Sequence, residues 1–156
     1  MPDIISWKIK RDGIYLPEMD FQKIVDEVVT KLDEAGIRYA LIGGFAMALR
    51  GIQRATIDLD FILMLEDLDR ADEILQQAGY QRGFRNENVS HYTADENWLG
   101  RIDILHAFRG PTLSMLDRAE RIPLTPNINI PVVQIEDLIG LKIQAACTDS
   151  LRHASD

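Results

Sequence analysis

Apolar residues recur along this chain at two spacings, one typical of helices and one typical of strands. A spacing of three to four predicts a helix over residues 17–35, and Gly36 follows where a helix end favours a left-handed residue. The same spacing predicts a helix over residues 67–78, ended by Gly79, and another over residues 135–147. These three helices are the most regular features of the pattern.

Short apolar runs between the helices predict strands over residues 37–42, 56–65, 89–94 and 101–107. The flanks of Arg11-Asp12-Gly13 further predict a peripheral hairpin within residues 1–16. Strands and helices in this mixed order indicate an α/β or α+β fold, in which helices pack on a mixed sheet. We expect a single domain over residues 1–156, with its core at about residues 37–147, because no linker or repeat divides the chain.

Composition narrows the class of protein. Hydrophobic residues make up 46% and charged residues 27% of 156 residues, and no apolar run approaches the ~18 residues of a membrane span. No secretory signal is readable at the N-terminus, so we expect a cytoplasmic protein without membrane contact. A net charge of -8 argues against non-specific DNA binding. The single cysteine, Cys147, excludes an internal disulfide, and the three histidines lack zinc-ligand spacing.

Asp58 and Asp60 interrupt an otherwise apolar strand. Side chains two residues apart on a strand point to the same face, so the two carboxylates are brought together. Such a pair is costly on a partly buried face unless a cation neutralises it, and Mg²⁺, or Mn²⁺ in its place, suits oxygen ligands. The alternative is that the two acids only solubilise an exposed edge strand.

Two further features add to this pair. Gly43-Gly44 ends a strand before a helix, where backbone N–H groups can approach phosphate oxygens. A β-branched residue at Gly44 would intrude there and could not readily adopt the positive φ that we expect at this position. Asp103 is a lone acid on the apolar strand over residues 101–107. If that strand neighbours the strand of Asp58 and Asp60, Asp103 joins the metal site or accepts a proton from an attacking hydroxyl. Separately, the glycines read as an ordinary turn and Asp103 as a surface acid.

Together these residues resemble the nucleotidyltransferase superfamily that includes DNA polymerase beta-like enzymes. The shared pattern is Gly43-Gly44, the thirteen residues 45–57, Asp58-Leu59-Asp60, and a single later acid at Asp103. The stretch GGFAMALRGIQRATIDLDFIL is particularly similar to small bacterial and archaeal members related to abortive-infection nucleotidyltransferase toxins, and to minimal transferases encoded beside HEPN-domain proteins. The resemblance implies the nucleotidyltransferase fold.

The resemblance also implies roles for particular residues. Asp58, Asp60 and Asp103 would be catalytic and would hold two Mg²⁺ or Mn²⁺ ions. The residues implied to bind the nucleoside triphosphate are Gly43, Gly44, Arg54, Thr56 and Lys142. A structural salt bridge is an equal alternative for Arg54, and a solvated helix face is the alternative for Lys142.

The function implied is transfer of a nucleoside monophosphate from a nucleoside triphosphate to a protein or RNA hydroxyl, in a toxin–antitoxin or phage-defence setting. A HEPN-type or other protein partner is also implied. The alternative is a catalytically inactive member of the fold that serves as an antitoxin or assembly subunit. Presence of all three acids favours the enzyme, because an inactive descendant gains nothing from a repulsive cluster.

Overall fold

A computed structural model describes residues 10–11, 14–15, 21–52, 58–96 and 99–154 of the chain. The predicted N-terminal hairpin is present as two short antiparallel strands, β1 (Lys10–Arg11) and β2 (Ile14–Tyr15).

The predicted first helix is described from Phe21 onward and is not regular throughout. It consists of α1 (Phe21–Ile24), a π-helical segment (Val25–Val29) and α2 (Thr30–Glu34). Its buried residues include Val25, Val28, Val29 and Leu32, which form the apolar face read from the sequence. Gly36 ends the run with a φ of 68°, as its position predicted.

The next three elements carry the glycine pair and the paired acids. Strand β3 (Tyr39–Ile42) runs directly into helix α3 (Gly43–Leu49), and strand β4 (Asp58–Met64) returns antiparallel to β3. All four residues of β3 are buried. This burial explains why β3 reads as a short continuous apolar run without alternation.

A helix and three strands follow. A 3-10 turn (Leu65–Asp67) leads into α4 (Leu68–Gln77), which buries Leu68, Ala71 and Leu75 as its spacing predicted. The strands are β5 (Tyr80–Arg85), β6 (Val89–Ala94) and β7 (Arg101–Ala107). Strands β6 and β7 match the prediction, whereas β5 was not predicted, because five of its six residues are exposed and lack an apolar pattern.

The remaining elements are α5 (Gly110–Arg118), β8 (Glu120–Thr125), β9 (Ile128–Val132) and α6 (Ile135–Ala154). The first three were not predicted. Pro123 in β8 and Pro131 in β9 disguise the strand pattern, and β8 is an edge strand of the sheet, where proline is tolerated. Helix α6 is longer than the predicted 135–147, since no glycine or proline stops it there.

Seven strands form one mixed sheet in the order β5-β6-β7-β4-β3-β9-β8. The pairs β4–β7 and β3–β9 are parallel, and the other neighbouring pairs are antiparallel. The predicted mixed sheet with packed helices is therefore confirmed. Across the described ranges, no helix is both long and apolar enough to cross a membrane.

Candidate active site

The register between neighbouring strands aligns three polar residues, Asp60, Asp103 and His91, in one row across the sheet. Asp60 on β4 is the direct partner of Asp103 on β7, and Asp103 is the direct partner of His91 on β6. On the other side Asp60 is the partner of Ile42, the last residue of β3. Directly paired residues project to the same face of a sheet, so Asp60, Asp103 and His91 share one face.

A second row lies two residues earlier along the same two parallel strands. Asp58 is the partner of Arg101, and an Arg101 guanidinium nitrogen lies 3.2 Å from Asp58 Oδ2. Both side chains retain contact with solvent, with 59% of Arg101 and 30% of Asp58 exposed. The sequence Arg101-Ile102-Asp103 therefore lies in register beside Asp58-Leu59-Asp60, and brings one cation to a group of three acids.

Asp60 is the acid whose environment opposes ionisation most clearly. Its pKa is raised to about 6, first by burial, then by the negative charges of Asp103 and Asp58, and by a hydrogen bond with Asp103. The positive charge of Arg101 opposes this rise in pKa. Asp60 therefore lies in an environment where a nearby cation would stabilise its ionised form.

Gly43 packs against Asp60. A Cβ atom built on Gly43 would lie 2.9 Å from Asp60 Cγ and 3.0 Å from Asp60 Cβ, and Gly43 has a φ of 74°. Both the backbone conformation and the close approach therefore favour glycine at position 43. The expectation that Gly44 carries the positive φ is wrong, because Gly44 already lies within α3, where the backbone is right-handed.

A cavity of about 280 Å³ opens beside this row. Its lining includes Gly43, Asp60, Asp103 and Lys142, the last contributed by helix α6. The rest of the lining is apolar and includes Ile42, Met47, Val89, Leu138, Leu141 and Ala145. A lysine and two acids therefore face one pocket with largely apolar walls, a composition typical of ligand sites.

His91 is a site residue that sequence reasoning missed. Its Nδ1 lies 2.6 Å from Asp103 Oδ1, and its ring stacks on Phe84 at a centroid distance of 5.6 Å and an interplanar angle of 28°. Arg101 was also not assigned a role. Its spacing of two from Asp103 was a readable signal, whereas the approach of His91 depends on the register of β6 against β7.

Comparison of the sequence with protein families decides to which class of protein the chain belongs. Residues 30–156 match the model of a family described as "Nucleotidyl transferase AbiEii toxin, Type IV TA system". The chain belongs to the AbiEii nucleotidyltransferase family. It is thus a nucleotidyltransferase, and the family supports the predicted toxin–antitoxin connection. No curated protein matches the chain.

Solved structures similar to this AbiEii chain share its fold at low sequence identity. A proposed nucleotidyltransferase from Thermotoga maritima superposes with a TM-score of 0.70 at 11% identity, over 93% of this chain and 96% of its own. The lincosamide antibiotic adenylyltransferase LnuA, with lincomycin bound, gives 0.60 at 14% identity over 78% and 85% of the two chains. ANT(2")-Ia in complex with adenylyl-2"-tobramycin gives 0.61 at 16% over 81% and 77%. The nucleotidyltransferase fold is thereby confirmed.

The structure brings together most, but not all, of the residues predicted for the AbiEii site. Gly43, Asp60, Asp103 and Lys142 line the cavity, and Asp58 lies on the same strand as Asp60. The edge-strand alternative for Asp58 and Asp60 is wrong, because β4 lies between β7 and β3 in the sheet. The predicted nucleotide-binding residues Arg54 and Thr56 lie outside the described residues.

The donor atoms of the site suit a hard divalent cation. Three carboxylates project from β4 and β7 to one face, and the raised pKa of Asp60 reflects negative charge that a cation would offset. Among the described residues, no three His, Cys, Asp or Glu side chains already converge closely enough to hold a metal ion. Asp58 pairs with Arg101, so convergence of the three acids on an ion requires the Asp58 side chain to adjust.

Proposed function

We propose that this AbiEii-family chain is a Mg²⁺- or Mn²⁺-dependent enzyme that transfers a nucleoside monophosphate from a nucleoside triphosphate to a hydroxyl of a protein or RNA. The observation that carries this proposal is the parallel register of β4 and β7, which sets Asp60 beside Asp103 in a cavity that also contains Lys142. Asp58, Asp60 and Asp103 would hold two ions. When bound, the ions would activate the attacking hydroxyl and stabilise charge on the leaving group.

The residues of the chain have separate tasks in this reaction. The acceptor oxygen attacks the α-phosphorus, the bond to the β-phosphate oxygen breaks, and pyrophosphate leaves. Asp103 would receive the proton of the acceptor hydroxyl; in support, it lines the cavity and lies directly beside Asp60. Asp60 and Asp58 would supply the negative charge that holds the cations in the site.

The triphosphate would lie between Gly43 and Lys142. Lys142 brings a point charge from α6 to the cavity that Gly43, Asp60 and Asp103 also line. The absence of a side chain at Gly43 lets the Asp60 carboxylate pack against the backbone at the start of α3, beside the cavity. Gly44, Arg54 and Thr56 complete the proposed nucleotide-binding set on the basis of the family pattern.

We assign the chain to the toxin side of a toxin–antitoxin pair in the cytoplasm, in line with the family description. A toxin that modifies a hydroxyl on a cellular protein or RNA inactivates that molecule without needing large amounts of enzyme. The acceptor is thus expected among the macromolecules of the host.

Labelling of host lysate tests the proposal. The protein is incubated with each α-labelled nucleoside triphosphate and Mg²⁺ or Mn²⁺, and products are divided by protease and ribonuclease treatment. We expect one class of macromolecule to be labelled by wild type and by Lys31→Gln, which removes an exposed lysine on α2. Asp60→Asn and Asp103→Asn should abolish the label, and Lys142→Gln should raise the KM for triphosphate. Labelling that survives in Asp60→Asn would refute the proposal.

A further inference from the structure

His91 lies next to the acids but does not line the cavity, so it is placed to act through Asp103. We propose that His91 is a positioning residue that fixes the orientation of the Asp103 carboxylate for the reaction. This inference rests on the proposed function, since it assigns a task within the same site.

The contact between the two side chains is short and geometrically constrained. His91 Nδ1 lies 2.6 Å from Asp103 Oδ1, and the two residues are direct partners in the antiparallel β6–β7 ladder. An ionised carboxylate only accepts hydrogen bonds, so the imidazole Nδ1–H is the donor. The backbone pairing fixes the distance between the two residues, and the hydrogen bond then selects one rotation of the carboxylate.

Phe84 fixes the other side of the imidazole. Its ring stacks on His91, and it lies on β5, the strand beyond β6 in the sheet. Such stacking limits rotation of the imidazole about χ2, which would otherwise move Nδ1 away from Asp103. The sheet therefore continues the row of site residues outward, from Asp60 and Asp103 to His91 and Phe84.

The Asp103 carboxylate contacts His91 and also lies beside Asp60, so its orientation affects the site. Oδ1 accepts from His91, while the same carboxylate lies beside Asp60, whose negative charge repels it, and lines the cavity. Without His91, Asp103 would rotate to lessen its repulsion with Asp60 and would lose its alignment toward the bound ion or acceptor. Removing a hydrogen-bond partner of a metal ligand typically costs about 10- to 100-fold in metal affinity or activity.

An exposed ion pair that serves only stability is the competing interpretation. The His91 side chain is 46% exposed and the Asp103 side chain 26% exposed, and pairs of this kind usually add little to stability. The two interpretations predict different results for cation binding. A stabilising pair leaves Mn²⁺ affinity unchanged, whereas a positioning residue changes it through Asp103.

Two substitutions separate the hydrogen bond from the space that the imidazole occupies. His91→Asn keeps an N–H donor near the position of Nδ1, whereas His91→Leu fills similar space without a donor. His91→Ser is a second variant that cannot reach Asp103, for use if His91→Leu does not fold. Thr93→Leu is the matched control, because Thr93 is exposed on the same strand and the same face.

The test is a double-mutant cycle between His91 and Asp103, read first by Mn²⁺ binding to the nucleotide-free protein. We expect His91→Leu to weaken Mn²⁺ binding about 10- to 100-fold, His91→Asn to restore most of it, and Thr93→Leu to leave it unchanged. In an Asp103→Asn background, His91→Leu should have no further effect. In the transfer reaction, His91→Leu should lower kcat more than it changes the KM for triphosphate.

Two outcomes would overturn the inference about His91 alone: wild-type Mn²⁺ affinity in His91→Leu, or an equal loss of affinity in the Asp103→Asn background. A folded wild-type protein that binds no Mn²⁺ and transfers no nucleotide would instead remove the proposed function, and the role of His91 with it. The failure of the inference and the failure of the function are therefore distinguishable.

Discussion

The backbone of Gly43 lies so close to Asp60 that a Cβ atom at position 43 would be 2.9 Å from the carboxyl carbon of Asp60. Ile42, the residue before Gly43, is the β3 partner of Asp60. The strand pairing that places Asp60 in the site therefore also brings the start of α3 against it. Glycine at position 43 and aspartate at position 60 are structurally coupled.

We expect Gly43→Ala to destabilise the protein more than Gly36→Ala and to abolish Mn²⁺ binding. Gly36 is the matched control, because its φ of 68° is close to the 74° of Gly43 while nothing lies within 4 Å of an added Cβ. Both substitutions carry the left-handed penalty of roughly 1–2 kcal/mol, and overpacking against Asp60 adds about 1–3 kcal/mol. Urea denaturation and Mn²⁺ titration measure the two effects. Equal losses of stability in the two variants would show that Asp60 moves away from the added methyl group without a loss of folding free energy.

Asp60→Asn should stabilise the metal-free protein in a pH-dependent way. The folded-state pKa of about 6 lies above the ordinary 3.8, so between these values the folded protein binds more protons than the unfolded chain. The stability contributed by Asp60 is complete below pH 3.8 and is lost as pH rises through 6.

The gain in unfolding free energy from Asp60→Asn should therefore be small near pH 4. It should grow to at most roughly 3 kcal/mol at pH 7 and then level off. Denaturation curves at several pH values, without divalent ions, measure this difference between variant and wild type. A difference that does not change with pH would contradict the assignment of the raised pKa to Asp60.

Arg101→Gln should tighten Mn²⁺ binding in the absence of nucleotide. The Arg101 guanidinium contacts Asp58 and lowers the negative potential that attracts a cation to the acids. A unit charge about 4 Å away contributes on the order of 1 kcal/mol in water, so a several-fold rise in affinity is expected. Arg38→Gln is the matched control, because Arg38 is 56% exposed and also pairs with an aspartate, Asp117. Equal Mn²⁺ affinity in both variants would exclude a local effect of Arg101.

Much of the site followed from spacing along the chain. The spacing of two between Asp58 and Asp60 was enough to place both carboxylates on one face, and the apolar residues around Asp103 were enough to place it on a strand. Whether the two strands are neighbours was left open by the sequence. Pairing of β4 with β7 joins residues more than 40 positions apart, so the local pattern of the sequence does not predict it.

The parts that were missed have physical reasons. The roles of His91 and Arg101 arise from the register between strands, which turn geometry and burial decide together. The positive φ was expected at Gly44 but lies at Gly43, because helix α3 begins one residue earlier than a two-glycine turn would allow. The nucleotide, the metal ions, the acceptor, a HEPN-type partner, and the roles of all the site residues, Arg54 and Thr56 included, stay predictions.

A buried histidine away from the acids gives the opposite dependence on pH. His106 and Ser90 are 2% and 0% exposed, and His106 Nε2 lies 2.7 Å from Ser90 Oγ. The Nδ1–H of His106 donates to the Glu87 carbonyl oxygen at 2.8 Å, so Nε2 accepts from the Ser90 hydroxyl. Burial lowers the pKa of His106 below its ordinary 6.5, and the positive charge of Arg85 adds to this effect. Burial and the hydrogen bond from Ser90 favour the neutral form of the His106 imidazole.

The contribution of His106 to stability should be lost as pH falls below 6.5. In that range the imidazole is protonated in the unfolded chain before it is protonated in the folded protein. The loss attributable to one such group has a slope of at most about 1.4 kcal/mol per pH unit. His106→Leu should lower stability at every pH, since Ser90 and the Glu87 carbonyl lose their partner, yet it should flatten the decline between pH 6.5 and pH 5. Urea midpoints of the two proteins across this range measure the slopes. Parallel curves for wild type and His106→Leu would show that another group causes the acid sensitivity, while convergence toward low pH would assign it to His106.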